Sequence, residues 1–308
     1  MNILILTDLE GSIGLQKGMP YCCMKSYWKK TISAAIEAIK GNNNITNIDI
    51  CNIHNNGNET EELKRDIQQD SIVFHKGITG LFNACKKCDV AMMVGVHGKS
   101  NSGGMFPHSF RTDIKNIFWG YNGKAVGEVF LFLHFFQLRR IPVVFVSGEG
   151  YFDDELSNHC CEKYIVSTDV DYQHSILCFQ KSIKNAIQGI DQEEHYNEMV
   201  EHKKVYVEVD NKDKLQFLEE QGFPVFNGYI RFESVNAFFE RIVEFAHLLR
   251  ESHVQLVQRN IRCVKEWALF RDKILFDEKL HDVMNKPLEL ITSDDCKRVW
   301  ESVLNNET

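Results

Sequence analysis

Short apolar runs alternate with longer segments whose apolar positions recur at helical spacing. The runs at 2–7, 45–53, 89–95, 114–119 and 143–147 read as strands, and the segments 24–40, 78–85, 127–139 and 172–189 as helices. Strands alternating with helices in this way predict a mostly parallel sheet covered on both faces. AMMVGV and VVFVSG are apolar at nearly every position, as central parallel strands are. NIFWGYNGKAV differs. It reads as a β-hairpin around Tyr121-Asn122-Gly123, with Asn-Gly supplying a tight turn.

The pattern changes near QGIDQEEHY (188–196), which is polar and loop-like. Beyond it, KVYVEVD alternates as a half-exposed strand, FNGYIRF pairs with it, and 234–250 forms an amphipathic helix. From about His253 the chain is helical and charged around EWALFRDKILFDEKL. The expected fold class is α/β: a mostly parallel central sheet with helices on both faces, followed by a smaller α+β part and a C-terminal helical extension. The expected boundaries are 1–190, 191–252 and 253–308.

Composition narrows the partners. A net charge of −8 over 308 residues disfavours nucleic acid, whose phosphates need a positive surface. The most apolar run, Val129–Leu138, is about half a membrane span and contains His134, so no membrane association is expected. Met1-Asn2-Ile3 lacks a basic leader region, which predicts a cytoplasmic location. Ten cysteines then read as reduced thiols. CKKC (Cys85 to Cys88) has no second pair to complete a zinc ribbon.

The chemistry gathers at strand ends, where open parallel sheets bind ligands. The first strand ends in Asp8-Leu9-Glu10, then Gly11; the second ends at His54; the third ends at His97. A Gly- and Ser-rich loop leads on to His108, and Glu128 opens the helix after the hairpin. Two acids spaced two apart in an extended segment point the same way. Such a pair is costly alone and sensible around a cation. Gly11 then lets the chain turn away. Each residue also has an ordinary explanation. Asp8 suits a helix cap or a ribose, His54 and His97 suit hydrogen-bonded loop histidines, and Glu128 suits a helix dipole. Their convergence at one sheet edge favours metal. Asp8, Glu10, His54, His97 and Glu128 mix imidazole with carboxylate, which suits zinc and also manganese or iron. Five ligands suit a two-metal site. No GxxxxGK[ST], GxGxxG or HExxH motif is present.

These motifs resemble the D-aminopeptidase family, the binuclear zinc peptidases of the dipeptide-operon type. DLEG (8–11) resembles its DxEG start, and NIH (52–54) stands where the family has DSH. GVHGKSNSGGMFPHS (95–109), NGKAVGE (122–128) and PVVFVSGEG (142–150) resemble three further family segments, in the same order. The resemblance implies two zinc ions held by Asp8, Glu10, His54, His97 and Glu128, with Asp8 as the bridge. It implies that His108 acts in catalysis beside the metals without being a standing ligand. It also implies aminopeptidase or amidohydrolase chemistry on a small peptide or amide, and a ring-forming homo-oligomer. The sequence departs from the pattern at Asn52, Lys99 and Glu149, where the family has aspartate, arginine and aspartate. An aspartate at position 52 would orient the histidine ring. Two rival functions remain. A metal-dependent phosphoesterase needs basic residues near the metals, and Lys99 and Arg111 are on hand. A non-catalytic metal-binding scaffold would use the helical tail to recruit a partner.

Overall fold

The computed structural model describes residues 1–67, 71–156, 161–167, 170–191 and 203–260, the side chains of 191 and 252–260 excepted. In chain order the elements are β1 (Asn2–Thr7), α1 (Tyr21–Lys40), β2 (Asn47–Asn52), α2 (Thr60–Ile67), β3 (Ile72–Lys76), α3 (Gly77–Ala84), β4 (Val90–Val96), β5 (Ile114–Trp119) and β6 (Lys124–Val126). There follow α4 (Glu128–Leu138), β7 (Val143–Glu149), β8 (Glu162–Val166), α5 (Tyr172–Gln188), β9 (Val205–Val209), α6 (Lys212–Glu220), β10 (Val225–Phe226), β11 (Tyr229–Phe232) and α7 (Val235–Asn260).

Six strands form a parallel sheet in the order β3-β2-β1-β4-β7-β8. Strand alternation divides the core into two. Ile3, Ile5, Ile48, Ile50, Met92 and Val94 face α1 and α5. Leu4, Leu6, Cys51, Ala91 and Met93 face the other way, into a larger apolar cluster. Both faces are therefore apolar, and β4 is buried along its whole length. α1 supplies Met24, Trp28, Ile32, Ala35, Ile36 and Ile39 at helical spacing to the first face.

The larger cluster is shared with a second layer. Five strands form an antiparallel sheet in the order β10-β11-β9-β5-β6. The expected hairpin is present, with Asn122 at positive φ, but its strands join this second sheet through β9. The sheet therefore draws strands from both sides of residue 190. α4 is apolar all round because it lies between layers, with Leu131, Phe132, Phe135 and Phe136 fully buried beside Phe238 and Phe239 of α7. Among the described residues no helix is long and apolar enough to cross a membrane.

Four elements escaped the sequence pattern: β3, β8, α2 and α6. β3 and β8 are edge strands of five residues each with partly exposed positions, so their apolar signal is weak. FNGYIRF is a hairpin and not one strand: Asn227 and Gly228 both take positive φ between β10 and β11. The amphipathic helix expected over 234–250 extends to Asn260. The remainder of the expected helical extension, 261–308, lies outside the described residues.

Candidate metal centre

β1 has β2 on one side and β4 on the other, and the chain order runs outward in opposite directions from that pair. This switch point leaves a crevice beyond the carboxyl ends of the strands. Asp8, His54 and His97 follow β1, β2 and β4, so all three reach it.

The β1 exit is tightly built. Asp8 N donates to Val94 O at 2.9 Å and Gly11 N to Gly95 O at 2.8 Å, so this segment still runs against β4. Leu9 turns fully into the core, which leaves Asp8 and Glu10 on the crevice side. Gly11 serves close approach rather than a turn: a Cβ there would lie 1.7 Å from Val96 O. Gly95 meets both demands, with φ +83° and a Cβ position 2.1 Å from Asp8 O.

His54 Nδ1 lies 2.8 Å from Glu10 Oε2 and 3.4 Å from Asp8 Oδ1. His97 Nε2 lies 3.4 Å from both Asp8 Oδ2 and Glu128 Oε1. The two oxygens of Asp8 therefore face different histidines. His97 is buried, and its Nδ1 donates to Gly98 O at 2.9 Å, which in a neutral ring leaves Nε2 as the lone-pair nitrogen. Glu128 stands at the first turn of α4, but Glu155 serves that helix end, accepting from Gly127 N at 2.9 Å and Phe130 N at 3.1 Å. Glu128 is left for the crevice, where Oε1 also accepts from Phe110 N at 2.5 Å.

His108 stacks on His97, with ring centroids 4.4 Å apart and planes 15° apart. Its Nδ1 donates to Phe106 O at 3.1 Å. Glu149 holds the loop that carries it, accepting from Gly98 N and Met105 N. Donor atoms of Asp8, Glu10 and His97 all lie within 4.8 Å of one another, and so do those of His97, His108 and Glu128.

The electrostatics are those of a cation site. Burial and the neighbouring Asp8 charge push the Glu10 carboxyl up to about 7. Burial opposes ionisation of Asp8, yet hydrogen bonds with Glu10, His54 and His97 hold its carboxyl well below the ordinary range. Burial also opposes charge on His54 and His97, but the carboxylates around them raise both well above the usual imidazole value. The pocket thus favours positive charge among its acids. Burial and the adjacent His97 push His108 down to about 4, so this ring is neutral at physiological pH.

Asn52 does not orient the His54 ring. Its Oδ1 accepts from His54 N at 3.0 Å and fixes the turn, in which Asn55 and Asn56 both take positive φ. A cleft of about 350 Å³ opens over the cluster. Ile53, Ile78, Phe110 and Phe132 form apolar wall, and Ile242, Val243, Ala246, His247 and Arg250 of α7 line it as well. Sequence patterning gave no sign of α7 in the cleft, because its spacing is that of any amphipathic helix.

A comparison with curated proteins gives no match. Among solved structures, the chain is similar to the Zn-dependent D-aminopeptidase DppA from Bacillus subtilis, described as a self-compartmentalizing protease. The TM-score is 0.67 at 13% identity, covering 81% of this chain and 98% of that one, which is a likeness of fold. The family model for peptidase M55, D-aminopeptidase, matches residues 1–217, well over half of the chain. With the fold, the strand-end acids and histidines and this match in agreement, the chain belongs to the D-aminopeptidase family of peptidases.

Proposed function

We propose that the protein cleaves an amide or peptide bond with a zinc pair held by Asp8, Glu10, His54, His97 and Glu128. One observation carries the reading: three carboxylates and two imidazoles converge on one crevice, with Asp8 3.4 Å from each histidine. Buried like charges at these spacings call for cations between them, and the mixed nitrogen and oxygen donors suit zinc. When held there, zinc would supply Lewis-acid polarisation of the scissile carbonyl and a water of lowered pKa.

The chain's own residues then orient and move protons. Asp8, with one oxygen toward each histidine, would be the residue shared by the two ions. His108 has Nδ1 committed to Phe106 O, so Nε2 is free to take a proton from the attacking water and return it to the leaving amine. The cleft volume of about 350 Å³ suits a short peptide or aminoacyl amide. Ile53, Ile78, Phe110 and Phe132 give it an apolar wall.

Of the basic residues near the cluster, Arg250 lines the cleft from α7, and the two that the phosphoesterase reading names are already engaged. Lys99 Nζ donates to Ala125 O at 3.2 Å, and Arg111 pairs with Asp113 through two bonds of 2.9 and 3.3 Å. The described neighbour's self-compartmentalizing character supports self-association of this chain too, which light scattering measures.

The test is elemental analysis on protein purified without chelator, followed by turnover on a panel of L- and D-aminoacyl amides and a chromogenic phosphoester. The proposal expects about two zinc ions per chain, by the ligand count, and amide turnover. No bound metal and no gain on adding zinc would overturn it. Bound metal without amide turnover would favour the scaffold.

A further inference from the structure

His54 has a second set of partners that the metal reading does not use. Tyr21, the first residue of α1, places its hydroxyl 3.1 Å from His54 Nε2 and 2.5 Å from Glu59 Oε1. The phenol has one proton. A 2.5 Å contact with a carboxylate oxygen is a charge-assisted hydrogen bond, and Glu59 can only accept, so the proton lies toward Glu59. The Tyr21 oxygen then meets His54 with lone pairs alone, and Nε2 must carry the hydrogen. In a neutral ring that leaves the lone pair on Nδ1, the atom facing Glu10 and Asp8. Glu59 is buried, and among the described residues its other carboxylate oxygen has no hydrogen-bond partner, so this carboxylate is held chiefly for Tyr21.

We propose that Tyr21 and Glu59 are positioning residues that set the tautomer and orientation of His54, presenting Nδ1 to a metal ion. They do the work expected of an aspartate at position 52, where this chain has Asn52 turned to the backbone. The proposal rests on the zinc-pair reading. It differs from that reading in assigning a role to two residues that touch neither metal nor substrate.

The experiment titrates the full chain with Zn²⁺ against a chromophoric chelator, and with Co²⁺ by its visible absorption. Wild type, Tyr21→Phe and Glu59→Gln are compared, with the melting temperature of the metal-free proteins as a fold check. Outer partners of metal-bound histidines typically affect affinity about 10- to 100-fold. Tyr21→Phe should therefore weaken one of the two sites by about that factor, leave the other unchanged and alter the Co²⁺ spectrum. Glu59→Gln still accepts from Tyr21 but lacks the charge, and should weaken the same site severalfold. A purely structural role would lower the melting temperature or loosen both sites together. If Tyr21→Phe does not fold, Glu59→Gln alone decides. Unchanged affinity and spectrum in the folded variants overturn the proposal while leaving the zinc pair standing. A wild type that takes up no metal overturns the zinc pair, and the proposal with it.

Discussion

The two histidine arms of the crevice are anchored in different ways. His97 donates from Nδ1 to the carbonyl of the very next residue and offers Nε2 inward. His54 offers Nδ1 inward, and its outer nitrogen meets the side chain of Tyr21, 33 residues away in sequence. A backbone carbonyl cannot be removed by substitution, whereas a hydroxyl can. One arm is fixed by the chain's own path, and the other is open to adjustment by distant residues. The chemistry of a site can therefore be tuned through one ligand while the other keeps it intact.

The comparison can be broken from its shared point outward. Asp8→Ala removes the residue whose two oxygens face different histidines, so both arms should lose metal and amide turnover should fall to background, read by elemental analysis and kinetics. His108→Ala touches the His97 side only. The expected outcome is a loss of kcat of about 10²- to 10⁴-fold with zinc content retained. Gly11→Ala leaves every proposed ligand in place but forces a methyl against Val96 O beside His97. It should destabilise the fold by about 3 kcal/mol, seen in chemical denaturation, and loosen the His97 arm more than the His54 arm. Val243→Ala, on the cleft wall away from both arms, should raise KM by roughly fivefold, about 1 kcal/mol, with zinc affinity unchanged.

The parallel core was legible because its strands are apolar on both faces and end in chemically distinctive residues. Asp8, Glu10, His54, His97 and Glu128 could be collected from strand ends and a helix start, and the structure brings all five to one crevice. Tyr21 and Glu59 could not, since a tyrosine opening a helix and a glutamate before another carry no local signal. The role of Asn52 was not legible for a related reason. Spacing puts its side chain near His54, but only geometry shows that it bonds the backbone and not the ring. The antiparallel sheet was half legible. Asn122-Gly123 marked one hairpin, while Asn227-Gly228 marked another that was absorbed into a single strand.

The cleft wall supplied by α7 has a further consequence. The family match ends at residue 217, and α7 begins at Val235. The five proposed ligands fall inside the matched stretch, while Ile242, Val243, Ala246, His247 and Arg250 fall outside it. The proposed ligands and the wall of Ile53, Ile78, Phe110 and Phe132 therefore answer to the family pattern, while substitutions along α7 reshape the wall it supplies without touching a ligand.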